Sequence, residues 1–144
     1  VTELVTPPQT VDPTPNLPLL RKVLGHIDNH PREWNQSTWG MQTQSETACS
    51  TAHCVAGWAV VFDGTHDVTY SPHSGRMRID GQQEILAHPV SGGHLRCYAA
   101  AFIHGRNALG LTDSEATRLF QGNNERYDIQ RIAETIANRA GEKL

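Results

Sequence analysis

The sequence predicts a mainly α protein: a compact helical bundle of about five helices carrying one small β-hairpin. Three observations predict it. Apolar residues recur at helical spacing in several separate stretches. Polar cap residues or glycines bound most of those stretches. A short alternating segment over 67–80 is broken by a Pro72-His73-Ser74-Gly75 turn. At 144 residues the chain fits one domain with a real core. Residues 1–16 read as a flexible arm rich in proline and threonine, and 17–144 as a single helical domain.

Each element has a local reason. Leu20, Val23, Leu24 and Ile27 form one stripe of a first helix over about 17–29, with Asn16 as N-cap and Pro18 in the first turn. His30-Pro31 stops it, because the residue before proline avoids the α region. Trp34 and Trp39 lie in a short turn or helical piece, and the polar stretch 41–48 reads as a loop. A second helix is expected to start at Ser50 or Thr51, burying Cys54, Val55, Trp58, Val61 and Phe62 and ending at Asp63-Gly64. Gly57 inside it costs about 1 kcal/mol of helix propensity against alanine, which implies a backbone or large ring close by. The hairpin follows, with Val68 and Tyr70 on one arm and Met77 and Ile79 on the other. A third helix is expected from His94 to Leu109, with Gly110 as its terminator. Thr112-Asp113-Ser114-Glu115 is a capping-box pattern that opens a fourth helix, and a fifth starts near Asp128. Its residues Ile129, Ile132, Ala133, Ile136, Ala137 and Ala140 give the cleanest amphipathic signal in the chain.

Charge and composition narrow the function. The net charge is −3, so no global basic field draws nucleic acid or anionic lipid. From Thr112 to Leu144 the helical pair is itself net acidic and joined by a long connection, which argues against a DNA-binding helix-turn-helix. No run approaches the ~18 apolar residues of a membrane span, and the first residues lack the layout of a secretory leader, so a cytoplasmic location is expected. Phosphate-binding, dinucleotide, GxSxG and HExxH motifs are absent from the sequence, and no enzyme activity is predicted.

Unusual chemistry concentrates in Cys49-Ser50-Thr51-Ala52-His53-Cys54-Val55-Ala56-Gly57-Trp58-Ala59. Three readings of Cys49 and Cys54 stay open: core residues, a redox or disulfide pair, or metal ligands. His26 and His30, four apart on the first helix, would complete a Cys2His2 zinc set with them, although the order matches no standard zinc pattern. Their bland reading is as solvent-facing or capping residues. The other histidines are scattered, and Cys97 reads as core. No cofactor is required. Trp58, Gly57, Cys54, Trp34 and Trp39 read as core and structural residues, with a small-molecule pocket beside Gly57 and Trp58 as a further possibility.

These residues carry a resemblance. Leu24-Gly25-His26-Ile27, Trp34-Asn35-Gln36, Trp39, the Cys-x-Thr-x-x-Cys-x-Ala-Gly-Trp-Ala segment and Leu109-Gly110-Leu111-Thr112 resemble a group of small uncharacterised actinobacterial and mycobacteriophage proteins. The similarity spans roughly residues 17–140 and implies no activity. Ten arginines against two lysines, and a chain opening on Val1, fit the same origin. The proline-rich arm, the polar loop before Cys49 and the hairpin depart from the group's pattern. The expected function is that of a non-enzymatic phage or actinobacterial accessory module that binds another protein. The alternative is a thiol-redox or zinc-binding protein centred on Cys49 and Cys54.

Overall fold

The computed structural model describes residues 12–44, 49–83 and 100–144, excluding the side chains of 43, 44, 49, 50, 82 and 83. The architecture is mainly α, with five helices and two small antiparallel sheets among the described residues. Helix α1 (Leu17–Asn29) begins where the Asn16 side chain accepts the Leu19 N–H at 3.2 Å, and it buries Leu20, Val23, Leu24 and Ile27. A single 3-10 turn, Pro31–Glu33, follows. No helix among the described residues is long and apolar enough to cross a membrane.

A second hairpin replaces the predicted polar loop and the predicted start of the second helix. Strand β1 (Gly40–Gln44) pairs antiparallel with β2 (Cys49–His53), from Gly40 opposite His53 to Gln44 opposite Cys49. Both strands are polar along much of their length, so neither shows the apolar alternation that marks a half-buried strand. Thr51 therefore caps nothing; its hydroxyl lies 3.5 Å from Gln42 Nε2 across the ladder. Helix α2 (Val55–Asp63) starts after it, with Cys54 as N-cap and its sulfur accepting the Gly57 N–H at 3.4 Å. Gly64 ends the helix in the left-handed conformation, φ 74°.

The second sheet has three strands, β3 (Val68–Tyr70), β4 (Met77–Ile79) and β5 (Gln82–Gln83), paired in that order. Met77 and Ile79 turn inward and are buried. Asp80 and Gly81 join β4 to β5, both at positive φ (52° and 84°), which is the type I′ geometry of a two-residue hairpin. The predicted helical turn from His94 and Cys97 lies outside the described residues; the described helix α3 is Ala100–Leu109. Helix α4 (Asp113–Leu119) carries the predicted capping box, with Thr112 and Glu115 each accepting the other's backbone N–H. Helix α5 (Arg126–Arg139) starts two residues before the expected Asp128, because that carboxylate reaches back to accept the Glu125 N–H at 2.9 Å.

Helix α2 lies between α1 and α3 and is buried on every side over Val55–Val60, as an all-apolar helix must be. Gly105 of α3 sits directly against Ala56, and the small residues let the two helices approach closely. Phe102 meets Phe120 edge to face at 5.5 Å, joining α3 to the end of α4. The buried face of α5 is Ile129, Ala133, Ile136 and Ala137.

The end of the N-terminal arm is docked. Asn16 donates its backbone N–H to Leu109 and its amide to Ala108, and Arg139 donates to the Pro13 carbonyl at 2.7 Å. Arg139 also forks onto Glu115 at 2.7 and 2.8 Å and reaches the Gly110 carbonyl. One guanidinium thus links α5, the start of α4 and the arm. Burial alone would raise the Glu115 pKa, but the bonds from Arg139 and the Thr112 N–H outweigh it and hold the carboxyl below its usual 4.5. A depressed folded pKa means stability that is present above 4.5 and lost as pH falls through the folded value. Replacing the fork with an apolar stem, Arg139→Met, is expected to cost about 1.5 kcal/mol at pH 7, a charged hydrogen-bond value reduced for solvent screening. Urea titrations should show that deficit shrinking at pH 3. A deficit unchanged by pH would remove the ion pair from this account.

Candidate functional site

Of the four candidate zinc ligands, His26, His30 and Cys54 take other partners, and the Cys49 side chain lies outside the described residues. His26 and His30 do lie together on α1, stacked at 4.4 Å. Their other partners are not cysteines: His26 Nε2 meets Glu33 Oε1 at 3.0 Å, and its ring rests on Trp58 and Phe62 at 4.4 and 5.0 Å. His30 Nδ1 bonds the His26 carbonyl at 3.2 Å. Cys54 is fully buried at the start of α2, its sulfur 4.0 Å from the Trp39 carbonyl. Cys49 stands at the far end of β2. Five residues of extended chain put the two cysteine Cα atoms about 16 Å apart, well beyond the ~7 Å limit for a disulfide.

The centre beneath α2 is filled. His53 is buried between Gly40 and Gly57, its ring 4.3 Å from Trp58 and its Nε2 2.8 Å from the Tyr70 hydroxyl. Burial, helped by the charge of His26, holds the His53 pKa down to about 3, and burial pushes the Tyr70 hydroxyl up to about 12. Both groups are neutral at physiological pH. Nδ1 of His53 has no partner among the described residues. A small-molecule pocket beside Gly57 has no room: the Trp39 carbonyl oxygen and the His53 side chain occupy that side of the glycine. Trp39 and Trp58 are buried, and Trp58 Nε1 donates to the Glu33 carbonyl at 2.7 Å.

Trp34 is different. It is only half-buried, and its Nε1 donates to Gln36 Oε1 at 3.0 Å. It lines a groove of about 600 Å³ with Pro31, Arg32, Ala52, Asn124 and Arg126. A second groove of about 320 Å³ runs between α4 and α5, lined by Arg118, Asn124, Arg131 and Thr135. The two meet at Asn124. Tyr127, 68% exposed, projects from the first turn of α5, with the Arg131 guanidinium 5.7 Å from its ring. Arg126 is tied to Asp28 at 2.7 and 2.9 Å. Arg32, Arg118 and Arg131 form no ion pair among the described residues. The grooves and the adjoining Tyr127 therefore offer two aromatic rings and three arginines without a carboxylate partner among the described residues, mixed with Glu125 and Asp128.

A second cluster was invisible in the sequence. His66, Asp80 and His104 each place one ligand atom within 4.8 Å of the others, and among the described residues no other set of three metal-ligating side chains does so. They come from the α2–β3 loop, the β4–β5 turn and α3. The positions are too far apart in the chain for spacing to reveal them. Asp80-Gly81 was the one readable signal, since that dipeptide after an alternating strand marks a two-residue hairpin. Comparison of the chain with protein-family models, with curated proteins and with solved structures returns no match.

Proposed function

We propose that the chain is a non-enzymatic protein-binding module, a cytoplasmic accessory protein of phage or actinobacterial origin, that takes its partner on the face around the first turns of α5. The observation that carries this reading is Tyr127, exposed on the first turn of α5 with the Arg131 guanidinium over its ring, on the helix that lines both grooves. Aromatic and arginine side chains dominate protein-binding hot spots, because each offers a large contact area with directional polar chemistry. Arg32, Arg118 and Arg131 pair with no carboxylate among the described residues, so the partner surface that complements them is acidic.

Panning a displayed library of random dodecapeptides against the full chain tests this. Acidic peptides should be enriched, and Tyr127→Ala or Arg131→Ala should each weaken the best of them about tenfold, or ~1.4 kcal/mol. Both residues are on the surface, so both variants are expected to fold. Failure to enrich any peptide would overturn the proposal. So would peptides that bind the variants as well as the parent, or a DNA duplex whose binding depends on the same two residues.

A further inference from the structure

The cluster of His66, Asp80 and His104 shares no residue with that face. His66 follows the end of α2, Asp80 occupies the first position of the β4–β5 turn, and His104 lies on α3. His66 Nδ1 and Asp80 Oδ2 are 2.8 Å apart, and the two imidazole rings are 3.7 Å apart between centroids. We propose that His66, Asp80 and His104 bind one zinc ion, which clamps α3 to the three-stranded sheet.

The donor set fits. Two imidazole nitrogens and one carboxylate oxygen are a standard three-ligand complement for zinc, with the fourth position left to water. The carboxylate is already aimed. Asp80 Oδ1 accepts the Asp67 N–H at 2.9 Å, which fixes the group and directs Oδ2 at His66. Such outer hydrogen bonds orient ligands in metal sites generally. The left-handed turn fixes the backbone beneath it, with Asp80 at φ 52°. The Asp80 side chain is half exposed, which gives the ion a path in.

The balance is simple. Zinc takes the place of the hydrogen between His66 Nδ1 and Asp80 Oδ2, and the neutral imidazole then carries its one hydrogen on Nε2, exchanged through solvent, with no change in the proton count. Tetrahedral zinc with ~2.0–2.1 Å bonds holds its ligand atoms about 3.4 Å apart, so the 2.8 Å His66–Asp80 pair opens by roughly half an ångström. The two rings must also splay from 3.7 Å to about 5 Å between centroids, because zinc lies in the plane of each imidazole it binds, and rotation of these partly exposed side chains supplies both movements.

Calorimetric titration of the full chain with zinc chloride, under reducing conditions, is the direct test. One equivalent should bind, and the thermal midpoint should rise with zinc. Asp80→Asn and His104→Gln should each lower the affinity at least tenfold and abolish the rise in midpoint. Asparagine tolerates the left-handed turn, so Asp80→Asn removes a ligand without removing the hairpin. Cobalt substituted for zinc should give a spectrum of nitrogen and oxygen ligation only. No binding at 100-micromolar zinc, binding indifferent to both substitutions, or a sulfur-to-cobalt charge-transfer band would each overturn the assignment.

Discussion

Gly57→Ala should destabilise the domain by about 3 kcal/mol or more, a large part of a small domain's total stability. The added methyl group has nowhere to go. It points at the carbonyl oxygen of Trp39, a backbone atom that no rotamer change can move, and lies 3.0 Å from two atoms of His53. Trp39 is itself buried, and β1 starts at the next residue, so the carbonyl moves only if the hairpin moves. Gly25→Ala provides the contrast. It lies within α1 with no atom within 4 Å of the built Cβ, so there the same change should stabilise by about 0.5–1 kcal/mol through helix propensity. Urea denaturation followed by far-ultraviolet circular dichroism separates the two signs. A Gly57→Ala protein as stable as the parent would mean that α2 does not cross β1 as closely as described.

Gly57 also marks the limit of what the sequence discloses. That a glycine in an otherwise apolar helix signals a close neighbour is a local inference; which neighbour it is depends on how β1 returns beneath the helix. The helices with strong local signatures were legible: α1 from its stripe and Asn16 cap, α4 from its Thr112–Glu115 box, α5 from its periodicity. The β1–β2 hairpin was not, because Gln42, Thr43, Gln44, Ser50 and Thr51 give no inward-facing apolar series to read. Missing it displaced the start of α2 to Ser50 or Thr51 and brought Cys49 and Cys54 too close together. A polar strand in place of a helical turn carries those cysteines apart. The candidate sites were less legible still. Arg32, Trp34 and Arg131 become neighbours of one face only once α5 has folded back onto the turn after α1, and His66, Asp80 and His104 meet only through three separate elements.

Between pH 6.5 and about 3 the protein should lose stability steeply, and His53 should be the main cause. Its ring is enclosed by Gly40, Gly57 and Trp58, and among the described residues its hydrogen-bond partner is the Tyr70 hydroxyl. Among the described residues no carboxylate balances an imidazolium there, and burial, with the charge of His26, holds the folded pKa at about 3 against 6.5 for a free histidine. In that window the unfolded chain binds a proton that the folded chain refuses, so stability is complete above 6.5 and falls as pH falls toward the folded value. The slope for one such group is about 1.4 kcal/mol per pH unit, or about 2 kcal/mol lost by pH 5. His104, also held below its usual pKa, adds to the loss in the same direction, so the assignment needs a variant. Glutamine at this position carries no titrating group and keeps an amide nitrogen for Tyr70. His53→Gln should therefore be less stable than the parent at pH 7.5 and lose less between 6.5 and 5. Imidazole NMR signals supply a readout that does not require the variant to fold: His53 should remain neutral at pH 4.5 in the native protein. Signals titrating with a midpoint near 6.5 would place the ring in contact with water and end the argument, whereas a ring still neutral in acid would identify the point at which the native core resists protonation.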